Sequence, residues 1–392
     1  MLIICNGVIV ASDYILRGKI IVIDDNKIKC IQDETYLSSY PNAKVIDANG
    51  GYVLPGLIDI HSDIIKKIIV PRKGLIFDYT LALLEADKIM LNQGITTVYH
   101  SLPFSKTTVF NQSNTLSLTE ICDIGKKINR TSDLLVNHKF HARLDMNTPE
   151  AIEMISMMIE ANEVHVLSFM DHTPGQGQYK DIKKFKDEIN KRNANISKDR
   201  IDEIIQELEE KKRICEKDLR ELIALAISKN IPMAYHDVSD ESQVSWMEYN
   251  NVNICEFPLN LAVGKKMLNN GLFSVVGCPN ILRGKSHNKN LSAACAILGG
   301  GANIIASDYF PYGLLHAVFK LVFGYGLDLN YVVSLVTLNP AKALNISDKY
   351  GSICSGKIAD LIIVDYVNDY PMIKCVIVNG TLKSSYNVTR CN

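Results

Sequence analysis

Short apolar runs punctuate both ends of the chain. Leu2–Ile4, Ile20–Ile23 and Ile28–Ile31 are separated by turn formers such as Asp24, Asp25 and Asn26, the pattern of short strands joined by tight turns. Ala359–Val364 and Ile373–Val378 repeat that style near the far end, and Asn379-Gly380 after the second is a hairpin signal. Together the two clusters predict a small β-sandwich domain built from both chain termini, residues 1–54 and 346–392.

Between them, strand-like runs recur at intervals wide enough to hold helices: Val53–Ile60, Ile95–Tyr99, Phe140–Leu144, Val164–Met170, Ile231–Tyr235, Asn253–Phe257, Phe273–Gly277 and Asn303–Ala306. Eight strands alternating with helical segments over about 250 residues predict an α/β fold, a (β/α)8 TIM-type barrel over residues 55–345. Helical periodicity is clearest at Ile201, Ile204, Ile205 and Leu208 and again at Leu219, Leu222, Ile223 and Ala226. The charged stretch before it predicts a solvated helical insertion near residues 180–218. Leu314–Phe323 and Ile297–Ala306, the longest apolar stretches, are broken by polar residues and glycines, too short for a membrane span.

Over its 392 residues, 42 Lys plus Arg balance 43 Asp plus Glu, a formal net charge of -1. This supplies no global attraction to nucleic acid or to an anionic membrane, so any small anionic partner must be held by a local cluster of cations. Ten cysteines are scattered without a CxxC pair, and the start MLIICNGVIV lacks a leader pattern. The expected compartment is the cytoplasm.

Reactive side chains in such a barrel belong at the carboxyl ends of its strands, and polar residues collect there. Alternation places Asp59, His61 and Asp63 on one face of the first strand, and His141, Arg143 and Asp145 on one face of the third. Asp145, nearest the strand end, is the candidate ligand of the third. The fourth run ends in Asp171-His172, the fifth in His236-Asp237, the sixth carries Glu256, and the eighth is followed by Ser307-Asp308-Tyr309. Burying such groups unpaired costs several kcal/mol, which a divalent cation or a hydrogen-bonded structural cluster relieves; spacing alone leaves both open. Nitrogen and oxygen donors without thiolates suit Zn, Mn, Fe or Ni. Cys255 and Cys278 read as small core residues. Among the histidines, His61, His172 and His236 are functional candidates, His100, His141 and His287 intermediate, and His138, His165 and His316 structural.

After the seventh strand, residues 279–288 combine Arg283, Gly284, Lys285, Ser286 and His287, a composition able to wrap phosphate oxygens where barrels often bind them. Pro71-Arg72-Lys73-Gly74 is a second cationic loop.

These pieces resemble the amidohydrolase superfamily over almost the whole length. Residues 52–61 resemble its first barrel strand, Gly94-Ile95-Thr96-Thr97-Val98 its second, Leu338-Asn339-Pro340-Ala341-Lys342-Ala343-Leu344 a typical later segment, and Gly356-Lys357-Ile358-Ala359-Asp360-Leu361-Ile362 its return to the β domain. Within it, residues 170–176, the His61-Ser62-Asp63 variant and residues 280–287 resemble the phosphonate-metabolism (PhnM-type) hydrolases of the carbon–phosphorus lyase pathway. Members of that group cleave α-D-ribose 1-methylphosphonate 5-triphosphate to the 5-phosphate and pyrophosphate. Three positions depart from its pattern: Lys66 and Asp145 stand where an acidic residue and a Glu are usual, and Gly177 stands where an Arg is usual.

The resemblance implies one or two divalent metal ions held by His61, Asp63, Asp145, His172, His236 and Glu256, with Asp308 orienting or deprotonating the attacking water. It implies substrate and phosphate contacts from Arg72, Arg143, Gln176, Arg283, Lys285, His287 and Tyr309, and a homodimer. Hydrolysis of a carbon–nitrogen bond in a cyclic amide or nucleobase would use the same metal and Asp308, and a non-catalytic barrel is the remaining alternative.

Overall fold

The computed structural model describes residues 1–72, 74–105, 116–171, 173, 182–192, 197–210, 212–284 and 291–386. Its central sheet has eight strands: β1 (Leu57–Ser62), β2 (Ile95–Phe104), β3 (Asn137–Asp145), β4 (Val166–Met170), β5 (Met233–His236), β6 (Ile254–Glu256), β7 (Phe273–Gly277) and β8 (Ile304–Ala306). Each pairs parallel with the next. Past the end of β8, Asp308 donates its N–H to the His61 carbonyl at 2.9 Å and accepts from the Asp63 N–H at 2.8 Å, which ties β8 back to β1 and completes the barrel.

Alternation along the strands separates two cores. Ile58, Ile60, Tyr99, Val166, Ala234, Ile254, Val275, Ile304 and Ala306 fill the barrel and meet Ala341, Ala343 and Leu344. Leu102, Phe104, Phe140, Ala142, Leu144, Leu167 and Phe169 face outward onto helical Leu83, Ile121, Ile155 and Leu222. Fully burying one such side chain contributes about 1.5–3 kcal/mol.

The run Val53–Ile60 is two strands rather than one. Tyr52–Pro55 pairs antiparallel with Leu361–Val367 and parallel with Val8–Val10, and only after Gly56 does the chain enter β1. Hydrophobicity cannot mark this break, because both halves are buried. Gly56 marks it sterically: a Cβ there would lie 2.2 Å from Thr96 Oγ1.

Leu2–Cys5, Lys19–Asp24, Lys27–Asp33 and Lys44–Asp47 form a four-stranded sheet, and strands from both ends of the chain form a six-stranded one. Leu2, Ile4, Ile9, Ile21, Val53, Leu361, Ile363 and Ile377 pack between them. Asn379 and Gly380 both take positive φ, 50° and 70°, in the turn that pairs Val378 with Thr381, as a two-residue hairpin turn requires.

In the charged insertion, helices Ile182–Arg192 and Lys198–Glu209 bury Phe185, Ile189, Ile201, Ile204, Ile205 and Leu208 against one another, a small apolar seam. The next helix, Glu216–Ser228, packs on Ala151–Glu160 in the ring around the barrel. No helix among the described residues is long and apolar enough to cross a membrane.

Candidate active site

Three strands end the same way. Asp237, Phe257 and Asp308 follow β5, β6 and β8 with φ of 58°, 57° and 57°. Each still donates its N–H to the neighbouring strand, to the carbonyls of Glu256, Val275 and His61, before the chain turns left-handed. That conformation costs a non-glycine residue about 1 kcal/mol or more. It redirects the chain at the barrel mouth immediately after His236, Glu256 and Ser307.

The mouth is built around His61. Its Nδ1 lies 2.7 Å from Glu256 Oε1, so Nδ1 carries the proton and the Nε2 lone pair is left free, buried and without a hydrogen-bond partner. Nε2 is 3.8 Å from Asp63 Oδ1. His141 donates from Nδ1 to the Ile60 carbonyl (3.3 Å), while Nε2 accepts from Ser168 Oγ (2.9 Å) and is 3.9 Å from Glu256 Oε1. His236 Nε2 accepts from Arg143 Nη2 at 3.3 Å, which puts the ring's proton on Nδ1; Nδ1 is 2.8 Å from Asp237 Oδ2 but makes no hydrogen bond. His61 thus has its outer nitrogen anchored and its Nε2 lone pair free for the site, the arrangement of a metal-ligating histidine, whereas His141 Nε2 accepts from Ser168 and His236 Nε2 from Arg143. Burial, reinforced by Arg143, holds His61 well below the usual histidine range, and burial pushes His141 down to about 3. Both rings are neutral, as ligation requires.

Among the described residues, two groups of donors are compact enough to hold an ion: His61, His141 and Glu256, and His61, Asp63 and Asp308. Burial raises Asp308 to about 8, and the Asp63 charge adds to the rise while Arg143 and Lys67 oppose it. Behind them Asp59 is fully buried, accepts hydrogen bonds from Ser307 N (2.9 Å), Ser307 Oγ and His61 N, and is raised to about 6 by burial. It fixes the ends of β1 and β8 rather than facing the site.

Asp145 belongs to neither group. Its carboxylate accepts from Ser105 Oγ (2.7 Å) and Asn147 N (3.1 Å) at the end of a strand that runs on past the cluster, whereas His141, four residues earlier, reaches it. The alternation of His141, Arg143 and Asp145 contained this signal, but preference for the strand end selected Asp145, which lies outside both groups. Arg143 bridges the mouth, with Nη1 3.4 Å from Asp63 Oδ1. Lys67 Nζ stands 4.5 Å from the Tyr309 ring centroid and donates to the Tyr309 carbonyl. Arg72 is exposed beyond helix Ile64–Ile69.

The stretch read as a phosphate-wrapping loop begins as a helix, Cys278–Arg283, with Pro279 in its first turn and Gly284 at φ +70° ending it. Cys278 and Ile281 turn into the core and Arg283 is exposed at its last turn. His172, Gln176, Lys285 and His287 lie outside the described residues.

A parallel barrel whose mouth gathers histidines and carboxylates defines a hydrolase of the amidohydrolase class. The amidohydrolase family matches residues 52–383, and the chain belongs to that family. It is 28% identical to α-D-ribose 1-methylphosphonate 5-triphosphate diphosphatase of Escherichia coli (strain K12), over 92% of this chain and 94% of the relative. It is 24% identical to an adenine deaminase of Clostridium perfringens, over 83% of this chain but only 49% of that protein. Among solved structures, molinate hydrolase superposes with a TM-score of 0.68 at 14% identity, covering 100% of this chain and 98% of its own. N-acetylglucosamine-6-phosphate deacetylase from Pasteurella multocida gives 0.61 at 14% identity, over 98% and 100%; both show the fold.

Proposed function

We propose that this amidohydrolase is a divalent-metal-dependent phosphoanhydride hydrolase that cleaves α-D-ribose 1-methylphosphonate 5-triphosphate to the 5-phosphate and pyrophosphate. The supporting observation is the end-to-end similarity to the Escherichia coli diphosphatase, which covers nearly all of both chains. The donor set fits a metal: His61 Nε2 and Glu256 Oε2 are buried without hydrogen-bond partners, a cost of about 1–3 kcal/mol each that a cation relieves. His61 would hold it with His141 and Glu256 or with Asp63 and Asp308, with His236 and His172 as further donors and Asp145 beyond them. A bound Zn, Mn, Fe or Ni ion supplies Lewis acidity and a more acidic water.

The chain's own groups do the rest. Glu256 and the Ile60 carbonyl fix the tautomers of His61 and His141, and Arg143, donating to Nε2, fixes that of His236. Once ionised, Asp308 takes a proton from the attacking water at a carboxylate oxygen as the water oxygen bonds to phosphorus, and pyrophosphate departs with the electrons of the broken P–O bond. Arg143 and Lys67 at the mouth and Arg72 and Arg283 further out, together with Lys285 and His287, neutralise the polyphosphate; Gln176 and Tyr309 position it.

The test is pyrophosphate release from the ribose triphosphate with defined divalent ions. The expected result is one pyrophosphate per substrate, abolished by a chelator. The adenine deaminase similarity favours a second reading, carbon–nitrogen hydrolysis; ammonia release from adenine without pyrophosphate from the triphosphate establishes that reading and overturns the first. The proposal includes a cytoplasmic homodimer. Leu75, Ile76, Phe77, Leu81 and Leu84, 41 to 55% exposed, supply an apolar face of the kind that associates.

A further inference from the structure

We propose that the pocket takes one divalent ion and that the Arg143 guanidinium stands in the place of a second. The inference rests on the metal-dependent reading above and concerns how many ions the pocket accepts.

Both donor groups contain His61. Because its Nδ1 is committed to Glu256, the ring has one lone pair to give, so the two groups are alternatives for a single ion. Among the described residues, the donors that would complete a second position are already held by Arg143. Nη1 faces Asp63 Oδ1 at 3.4 Å, and Nη2 faces His236 Nε2 at 3.3 Å. A neutral imidazole has one acceptor nitrogen, and Arg143 occupies it at Nε2. Arg143 projects from β3 between β1 and β5, its side chain 11% exposed and its Nε buried without a partner. A guanidinium does not yield its charge by losing a proton, so it cannot convert into a metal ligand.

Charge balance gives the same count. Once a bound cation has ionised Asp308, the carboxylates of the two donor groups, Asp63, Glu256 and Asp308, set against Arg143 leave two negative charges. Outside this set Asp59 and Asp237 offset Lys66 and Lys67, so the balance is unchanged. One divalent ion neutralises the pocket, whereas a second would add two uncompensated positive charges beside a fixed guanidinium in a buried site, where like charges repel most strongly.

The experiment is metal content after equilibration with Mn2+ and desalting, read together with the Mn2+ electron paramagnetic resonance spectrum. The wild-type chain should hold one ion with an isolated six-line signal. Arg143→Gln and Arg143→Met should approach two ions and show an exchange-coupled signal. Two coupled ions in the wild-type chain, or one ion in both folded variants, would overturn the inference. If neither variant folds, the wild-type count and spectrum decide it alone. No bound ion overturns the inference together with the metal-dependent reading. One ion without pyrophosphate release supports the inference while overturning only the substrate reading.

Discussion

Replacing Asp308 by Asn separates its two roles, as proton acceptor and as buried charge. The residue sits at φ +57°, a conformation Asn tolerates as well as Asp, so the backbone closure to His61 and Asp63 should survive. In the metal-free protein, burial and the neighbouring Asp63 raise Asp308 to about 8, against about 4 in an unfolded chain. Over that window the native state holds a proton that the unfolded state has released, so stability falls as pH rises, by up to about 1.4 kcal/mol per pH unit. The carboxyl keeps partial access to solvent at the mouth, which reduces the accumulated effect to on the order of 2 kcal/mol. Urea unfolding of chelated protein at pH 5.5, 7 and 8.5 measures it: Asp308→Asn should lose this share of the pH dependence and become the more stable form at high pH. With metal restored, its kcat should fall by at least about a hundredfold. Near-full turnover with metal bound would refute the assignment of the proton acceptor, and an unchanged pH profile would refute the buried-charge argument.

Other positions make sharp predictions. Gly56→Ala brings a Cβ within 2.2 Å of Thr96 Oγ1 and 2.8 Å of Thr96 Cβ; it should cost about 3 kcal/mol in thermal unfolding, relieved by Thr96→Gly. Phe77→Asp, on the exposed apolar face 47% open to solvent, should shift the mass measured by light scattering from dimer to monomer while leaving unfolding within about 0.5 kcal/mol. Asp87 accepts hydrogen bonds from Leu135 N, Val136 N and His138 Nε2, and His138 Nδ1 in turn faces His100 Nε2 at 2.7 Å. Asp87→Asn cannot accept from all of these, so chemical unfolding should show a loss of about 2–3 kcal/mol; a change below about 0.5 kcal/mol would mean that the network adds little.

The barrel was legible because each strand carries a buried apolar run, and alternation along those runs carries members of the candidate site, His61 and Asp63 on one strand and His141 and Arg143 on another, along with Asp59 and Asp145, which lie outside both donor groups. Depth along the strand was not legible. β3 runs from Asn137 to Asp145, so its end stands beyond the cluster and the residue nearest that end is committed to Ser105 and Asn147 instead. Periodicity tells which face a side chain takes and says nothing about stagger between neighbouring strands, which barrel closure sets. The helix Cys278–Arg283 was hidden by composition for a similar reason. Arg, Gly and Lys suggested a loop, but Pro279 in a first turn and Gly284 past a last turn are also the punctuation of a short helix, and its buried face is only Cys278, Pro279 and Ile281.

That stagger also bears on which chemistry the site performs. Ser307 and His61 donate to Asp59, and the adjoining Asp308 bonds its main chain to both His61 and Asp63, so the proposed proton acceptor and two proposed ligands move as one unit. Such a unit serves attack of water on carbon or on phosphorus equally, since both need a positioned proton acceptor beside a Lewis acid. What separates the two substrates is charge. A neutral nucleobase gains nothing from a fixed guanidinium in the mouth, whereas a polyphosphate does. Arg143 is therefore the residue whose substitution should discriminate between them. Arg143→Gln should raise KM for the triphosphate by about ten- to a hundredfold, the worth of one charge-assisted contact, and leave the hydrolysis of any uncharged substrate within a few-fold, provided both are compared at equal metal occupancy. Equal losses on charged and uncharged substrates would show that Arg143 acts only through the architecture of the pocket.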